Sequence, residues 1–227
     1  MTELSFRRVG VARKRRIRPV LTENAAQAIG AIEPDMELYG FSKGQFSLID
    51  IVVCLLTQTG PADVAIATWT AASVEIENTQ RLLRTGAIKS LRFLVDFSFP
   101  RRQPKYCAEL RDAFGDDCIR VTKTHAKFVL IRNESWNLVV RTSMNLNANA
   151  RFENFEISDD SAMADFLDGV VAEVFSASDG ASVMGERPSW HVEKFNAFGV
   201  VPASFQDDSA FGMNLDDPLK PGSSFGD

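Results

Sequence analysis

The sequence predicts an α/β fold: a mixed β-sheet flanked by helices on both faces. Three observations predict it. Strand-length apolar runs alternate with amphipathic helical stretches between Ala62 and Gly115. A closely spaced series of strands follows from Cys118 to Ser158. Glycines and prolines stand at the joints between these stretches rather than inside them. With 227 residues, 45% of them apolar, the chain can bury one substantial core, and no internal repeat divides it.

The elements are justified in turn. "TENAAQAIGAI" has the composition of a short helix, with Thr22 as its cap. "SLIDIVVCLLTQTGP" is a stronger helix, because Ser47 with Asp50 three residues on makes a capping pair and Gly60-Pro61 stops it. "ADVAIATWT" reads as a buried strand and "ASVEIENTQRLLRTG" as an amphipathic helix ended by Gly86. "LRFLVDFSF" is the next strand, stopped by Pro100, and "QPKYCAELRDAFG" is a helix with Pro104 near its start and Gly115 at its end. "CIRVTKTH" running into "AKFVLIR", then "NLVVRTS" and "NFEIS", are strands, and "SAMADFLDGVVAEVFSA" is a long helix.

This reading gives a folded domain over residues 21–178, a basic arm over 1–20 and an acidic, largely disordered tail over 179–227. The net charge is −5, yet the arm carries Arg7, Arg8, Arg13, Lys14, Arg15, Arg16 and Arg18 with no acid between them. Such a run gains affinity for nucleic acid by releasing condensed counterions, and its ordinary alternative is a solvated terminus. The tail sets Phe205, Phe211 and Phe225 among aspartates, so a protein partner docking there is one expectation and an inert solubilising end the other. Three cysteines without a CxxC pair indicate neither a disulfide framework nor a zinc knuckle, and fit buried thiols in the cytoplasm. No signal peptide is visible, and the longest apolar run, "LIDIVVCLL", is too short to span a bilayer.

The chemistry gathers around one of the two histidines. In "THAKFVLIR", His125 precedes Lys127 by two positions, and strand alternation would put both on one face. Ser143 follows His125 by eighteen residues, and Asn145 comes two later. Glu156, preceded by Asn154, stands eleven residues beyond Asn145. Singly, each has an ordinary role: an edge lysine, turn-capping Ser143 and Asn145, a solvated strand glutamate.

Together, H-x-K, S-x-N and N-x-E resemble the phospholipase D superfamily, whose signature is H-x-K-x4-D followed by G-S-x-N and often a later N-x-E. The resemblance covers about Ala62 to Phe175, and its specific part runs from Thr124 to Ile157. Two positions depart from it. The family's aspartate falls at Arg132 and its glycine at Thr142. The other histidine, His191, has Glu193 where a second motif would need lysine.

The resemblance implies a phospholipase D-like sheet and metal-independent phosphodiester cleavage without a cofactor. It makes His125 nucleophile or acid, Lys127 and Asn145 phosphate ligands, Ser143 a supporting hydrogen bonder and Glu156 the carboxylate orienting an imidazole. One motif per chain implies a homodimer that supplies two. With the arginine-rich arm, the expected activity is a nuclease acting on DNA. The alternatives are a DNA-binding protein that keeps the fold without turnover and, third, a lipid phosphodiesterase.

Overall fold

The computed structural model describes residues 14–17, 24–148 and 150–177. In chain order they form β1 (Lys14–Ile17), α1 (Ala25–Ile29), β2 (Met36–Ser42), α2 (Leu48–Thr59), β3 (Ala62–Thr68), α3 (Ser73–Arg84) and β4 (Ile88–Asp96). Then follow α4 (Phe99–Arg102), α5 (Pro104–Phe114), β5 (Ile119–Thr122), β6 (Phe128–Arg132), β7 (Asn137–Thr142), β8 (Glu153–Asp159) and α6 (Ser161–Ala177). The strands make one mixed sheet in the order β1-β2-β8-β7-β6-β3-β4-β5.

The helix boundaries follow their caps. Ser47 and Asp50 form the reciprocal capping box at the start of α2, and Gly60, at φ 74, turns the chain out of it. Gly115, at φ 76, does the same for α5. Helix α1 is capped by Asn24, whose side chain accepts from Gln27 N, rather than by Thr22, which lies outside the described residues.

Strands β3, β4 and β5 run parallel, joined through α3 and through α4–α5, whereas β3 meets β6 antiparallel and β6, β7 and β8 form a meander. Helices α3 and α5 pack together on one face with α2, and α6 lies against β5, β6 and β7. Registered pairing assigns side chains to faces. Ile66, Val129, Val140, Ile157 and Leu38 lie in one cross-strand row, all 0% exposed. Arg92 belongs to the opposite face, where it pairs with Asp168 of α6.

Two strands are not foreseen by the sequence pattern. β2, "MELYGFS", sits next to β8 with Gly40 directly opposite Phe155. β1 pairs parallel with β2 and comes from the expected arm. There Arg16 pairs with Glu33 and donates to the Ala31 carbonyl at 3.1 Å, and Lys14 lies 3.6 Å from the same carboxylate. These two cations therefore belong to the sheet edge rather than to a free arm. Arg15 pairs in register with Glu37, whereas Arg7, Arg8, Arg13 and Arg18 lie outside the described residues, as does the tail. Among the described residues, no helix is long and apolar enough to cross a membrane.

Candidate functional site

His125 and Lys127 are not inside a strand. β5 ends at Thr122 and β6 begins at Phe128, so the pair occupies the extended connection between them. What sets that connection is Asp96, at the end of β4 and 5% exposed. Its Oδ2 accepts from Thr124 N at 3.2 Å, and Thr124 Oγ1 accepts from Ala126 N at 3.0 Å. The other Asp96 oxygen accepts from Ser98 N at 3.0 Å and from the Ser98 hydroxyl. A buried carboxylate with these partners keeps the His–x–Lys backbone in place without the ladder that alternation predicts.

The two side chains nevertheless meet. Lys127 Nζ lies 3.2 Å from His125 Nδ1 and donates to the His125 carbonyl at 3.0 Å. An ammonium has only donors, so Nδ1 accepts here, and the neutral ring carries its proton on Nε2. That is the form needed to donate to a phosphate or leaving oxygen. Nucleophilic use of Nε2 requires Lys127 to leave Nδ1 and turn toward a bound anion. The imidazole also packs against Trp69 at the end of β3, centroids 5.5 Å apart. The Arg102 guanidinium in turn lies 3.5 Å over the indole.

The second motif half folds beside the first because strands β6 and β7 are adjacent and antiparallel. Thr142 N donates to the Lys127 carbonyl at 3.3 Å. Ser143 Oγ donates to Glu153 and accepts from Asn154 N at 3.0 Å. Leu146 N then reaches Thr68 Oγ1 and the Thr70 carbonyl, both at 3.1 Å, which ties the loop carrying Asn145 to the end of β3. Glu75, buried in the first turn of α3, accepts from the Ala148 backbone, and burial pushes its carboxyl pKa upward. Asn145 Oδ1 is buried and has no hydrogen-bond partner among the described residues.

Burial is the larger influence on Lys127 and lowers its pKa, while Glu153 and Asp96 hold it up. Anion binding that depends on this ammonium should therefore fade as pH rises, with the loss beginning below the ordinary lysine range. Titrating oligonucleotide affinity against pH checks this, and Lys127→Arg should move the loss to higher pH. An unmoved profile in Lys127→Arg would show that another group governs the loss.

Arg132 and Thr142 have structural roles of their own. Arg132 sits at the far end of β6, five residues and roughly 17 Å of strand from Lys127. There it donates to Asp165 at 2.6 Å and approaches Asp168 at 3.6 Å, joining the sheet to α6. Thr142 has no positive φ, and its hydroxyl donates to the Asn154 carbonyl at 2.6 Å and accepts from Met144 N at 3.0 Å. Neither substitution removes a group from the His125 pocket.

Glu156 departs from its expected role. Its carboxylate pairs with Arg141, directly across the β7–β8 ladder, instead of with the imidazole. The groups that sequence reasoning passed over are Asp96, Trp69, Arg102 and Glu153. Asp96 and Trp69 mark the carboxyl ends of parallel strands, where open α/β sheets place ligands. Among the described residues, no group of three or more histidine, cysteine or acidic side chains is placed to hold a metal ion.

Comparison with known proteins adds the following. No family model and no curated protein matches the chain. It is similar to the solved structure of NucT from Helicobacter pylori. That match has a TM-score of 0.43 and 13% identity, and covers 62% of this chain and 96% of that one. It is also similar to polyphosphate kinase from Porphyromonas gingivalis, with a TM-score of 0.44 and 14% identity over 60% of this chain. The match takes in 26% of the kinase.

Proposed function

We propose that the chain is a phospholipase D-type phosphodiesterase that cleaves DNA without a metal, at a site shared by two copies. The observation that carries this reading is the Lys127 ammonium seated on His125 Nδ1 beside the loop that presents Ser143 and Asn145. A phosphodiester entering there would meet a cation, an amide and an imidazole, the groups needed for the charge that develops on a phosphorane. As the phosphate draws Lys127 away from Nδ1, the ring proton of one copy's His125 shifts from Nε2 to Nδ1, and the freed Nε2 attacks phosphorus. A phosphorus–nitrogen bond forms and the phosphorus–oxygen bond to the leaving group breaks. The other copy's His125, protonated on both ring nitrogens once Lys127 has left Nδ1, gives its Nε2 proton to the leaving oxygen, then takes one from the water that hydrolyses the phosphohistidine.

The test is cleavage of plasmid and oligonucleotide substrates in excess chelator. Cleavage is expected to persist there and to slow in His125→Ala. Loss of all cleavage in chelator, restored by magnesium, would sink the phosphohistidine route. A second reading, DNA binding without turnover, is favoured by one observation. The carboxylate expected to orient the imidazole is occupied by Arg141. Tight, salt-sensitive binding with no cleavage under any of these conditions would select it.

A further inference from the structure

Arg102 is an exposed arginine held in an unusually fixed position. One face of its guanidinium lies 3.5 Å over the Trp69 ring. Nε donates to Ser98 Oγ at 2.9 Å, and Nη2 donates to the Trp69 carbonyl at 3.0 Å. The Ser98 hydroxyl passes its own proton to buried Asp96, the residue that also fixes the His125 segment. One network thus positions both the imidazole and the arginine, and the half-buried indole touches both rings. A planar guanidinium pinned along one face and one edge has already lost most of its rotamer freedom. Its outer face is open to solvent.

The opposite flank of the site offers a comparable surface. Beyond Glu153, Phe152 is 57% exposed and stacks on Phe41 at 4.8 Å, with Tyr39 edge-on to Phe41 at 5.2 Å. Trp69 follows the end of β3, and Arg102 closes α4, the short helix after β4. Phe152 and Phe41 stand at the ends of β8 and β2, and the His125–Lys127 segment lies between the two pairs in strand order.

We infer that the substrate is a single-stranded nucleic acid, with unpaired bases stacking on the outer face of Arg102 on one side of the phosphate and on Phe152 on the other. This rests on the nucleic-acid reading above and adds the strandedness and the residues that read it. Arginine planes and exposed aromatic rings bind the π-face of any base, and a base offers that face only when it is unstacked. A duplex presents phosphates to Lys127 but hides its bases from both platforms.

Fluorescence anisotropy with labelled oligomers of one length tests this in full-length protein. The probes are a DNA single strand, its RNA counterpart, the duplex, and an abasic deoxyribose-phosphate chain. The base-bearing single strands should bind at least about fivefold more tightly than the abasic chain and the duplex. Arg102→Lys keeps the charge but not the plane, and it should remove most of that preference, read as the ratio of base-bearing to abasic affinity within the same variant. Phe152→Ala should remove a separate part of it. Equal DNA and RNA affinity would show that bases alone are read, and an RNA advantage would add a ribose contact to the same platforms. Equal affinity for base-bearing and abasic chains, or full preference in both variants, would overturn the inference while leaving phosphodiester binding intact. Failure of every probe to bind would overturn the nucleic-acid reading itself.

Discussion

His125→Ala is expected to lower diester cleavage by at least about 10³-fold, because it removes the group proposed both to attack phosphorus and to protonate the leaving oxygen. The fold should survive, since the ring lies in a connection rather than a strand and its backbone is held by Asp96 through Thr124. The informative measurement is a mixture. If each site uses one imidazole from each of two copies, equal amounts of wild type and variant that exchange subunits leave roughly a quarter of dimers with both histidines. Activity should then drop to about half of what the same wild-type protein gives alone. Simple dilution, with no loss per wild-type chain, would show that one histidine suffices. A monomer in sedimentation that still cleaves would defeat the shared site outright.

The largest expected effect on stability is at Phe155. Its ring is fully buried, lies edge-on to Phe46 at 5.6 Å and folds over Gly40 on the neighbouring strand. A Cβ at position 40 would stand 2.5 Å from the Phe155 ring, so the glycine is there to admit the aromatic group. Phe155→Ala should cost ~3–5 kcal/mol in denaturant unfolding, and Gly40→Ala ~1–3 kcal/mol through overpacking. In the double variant the clash has no ring to meet, so the two costs should fall short of additive by at least ~0.5 kcal/mol. Strict additivity would mean that the ring does not depend on the glycine.

The alternating middle of the chain was legible because its helices are bounded by residues with a local signal, the Ser47 capping box and Gly60 for α2, Pro104 and Gly115 for α5. β2 was not, because Gly40 interrupts its apolar pattern and its role appears only when Phe155 is placed opposite. β1 was hidden by its charge, since a basic tetrapeptide gives no strand signal until Glu33 supplies its partner. The same limit applies at the site. His125, Lys127, Ser143 and Asn145 could be read together because β6 and β7 are sequential and antiparallel. Asp96 and Trp69 reach the site from the ends of β4 and β3, and Arg102 from α4, whose alignment with β6 is a matter of tertiary packing rather than spacing. Glu156 shows the converse: its spacing matches a motif, but the ladder sets it against Arg141.

The arginine at the far end of β6 has a consequence for any substitution made there. It ties the sheet to α6 through Asp165 and Asp168, and Asp168 is shared with Arg92. An aspartate at position 132 would bring three carboxylates together at the joint between sheet and α6, where like charges repel. Arg132 is thus one member of a charge cluster that clasps α6 to the sheet, and reversing its sign would require the helix to change with it.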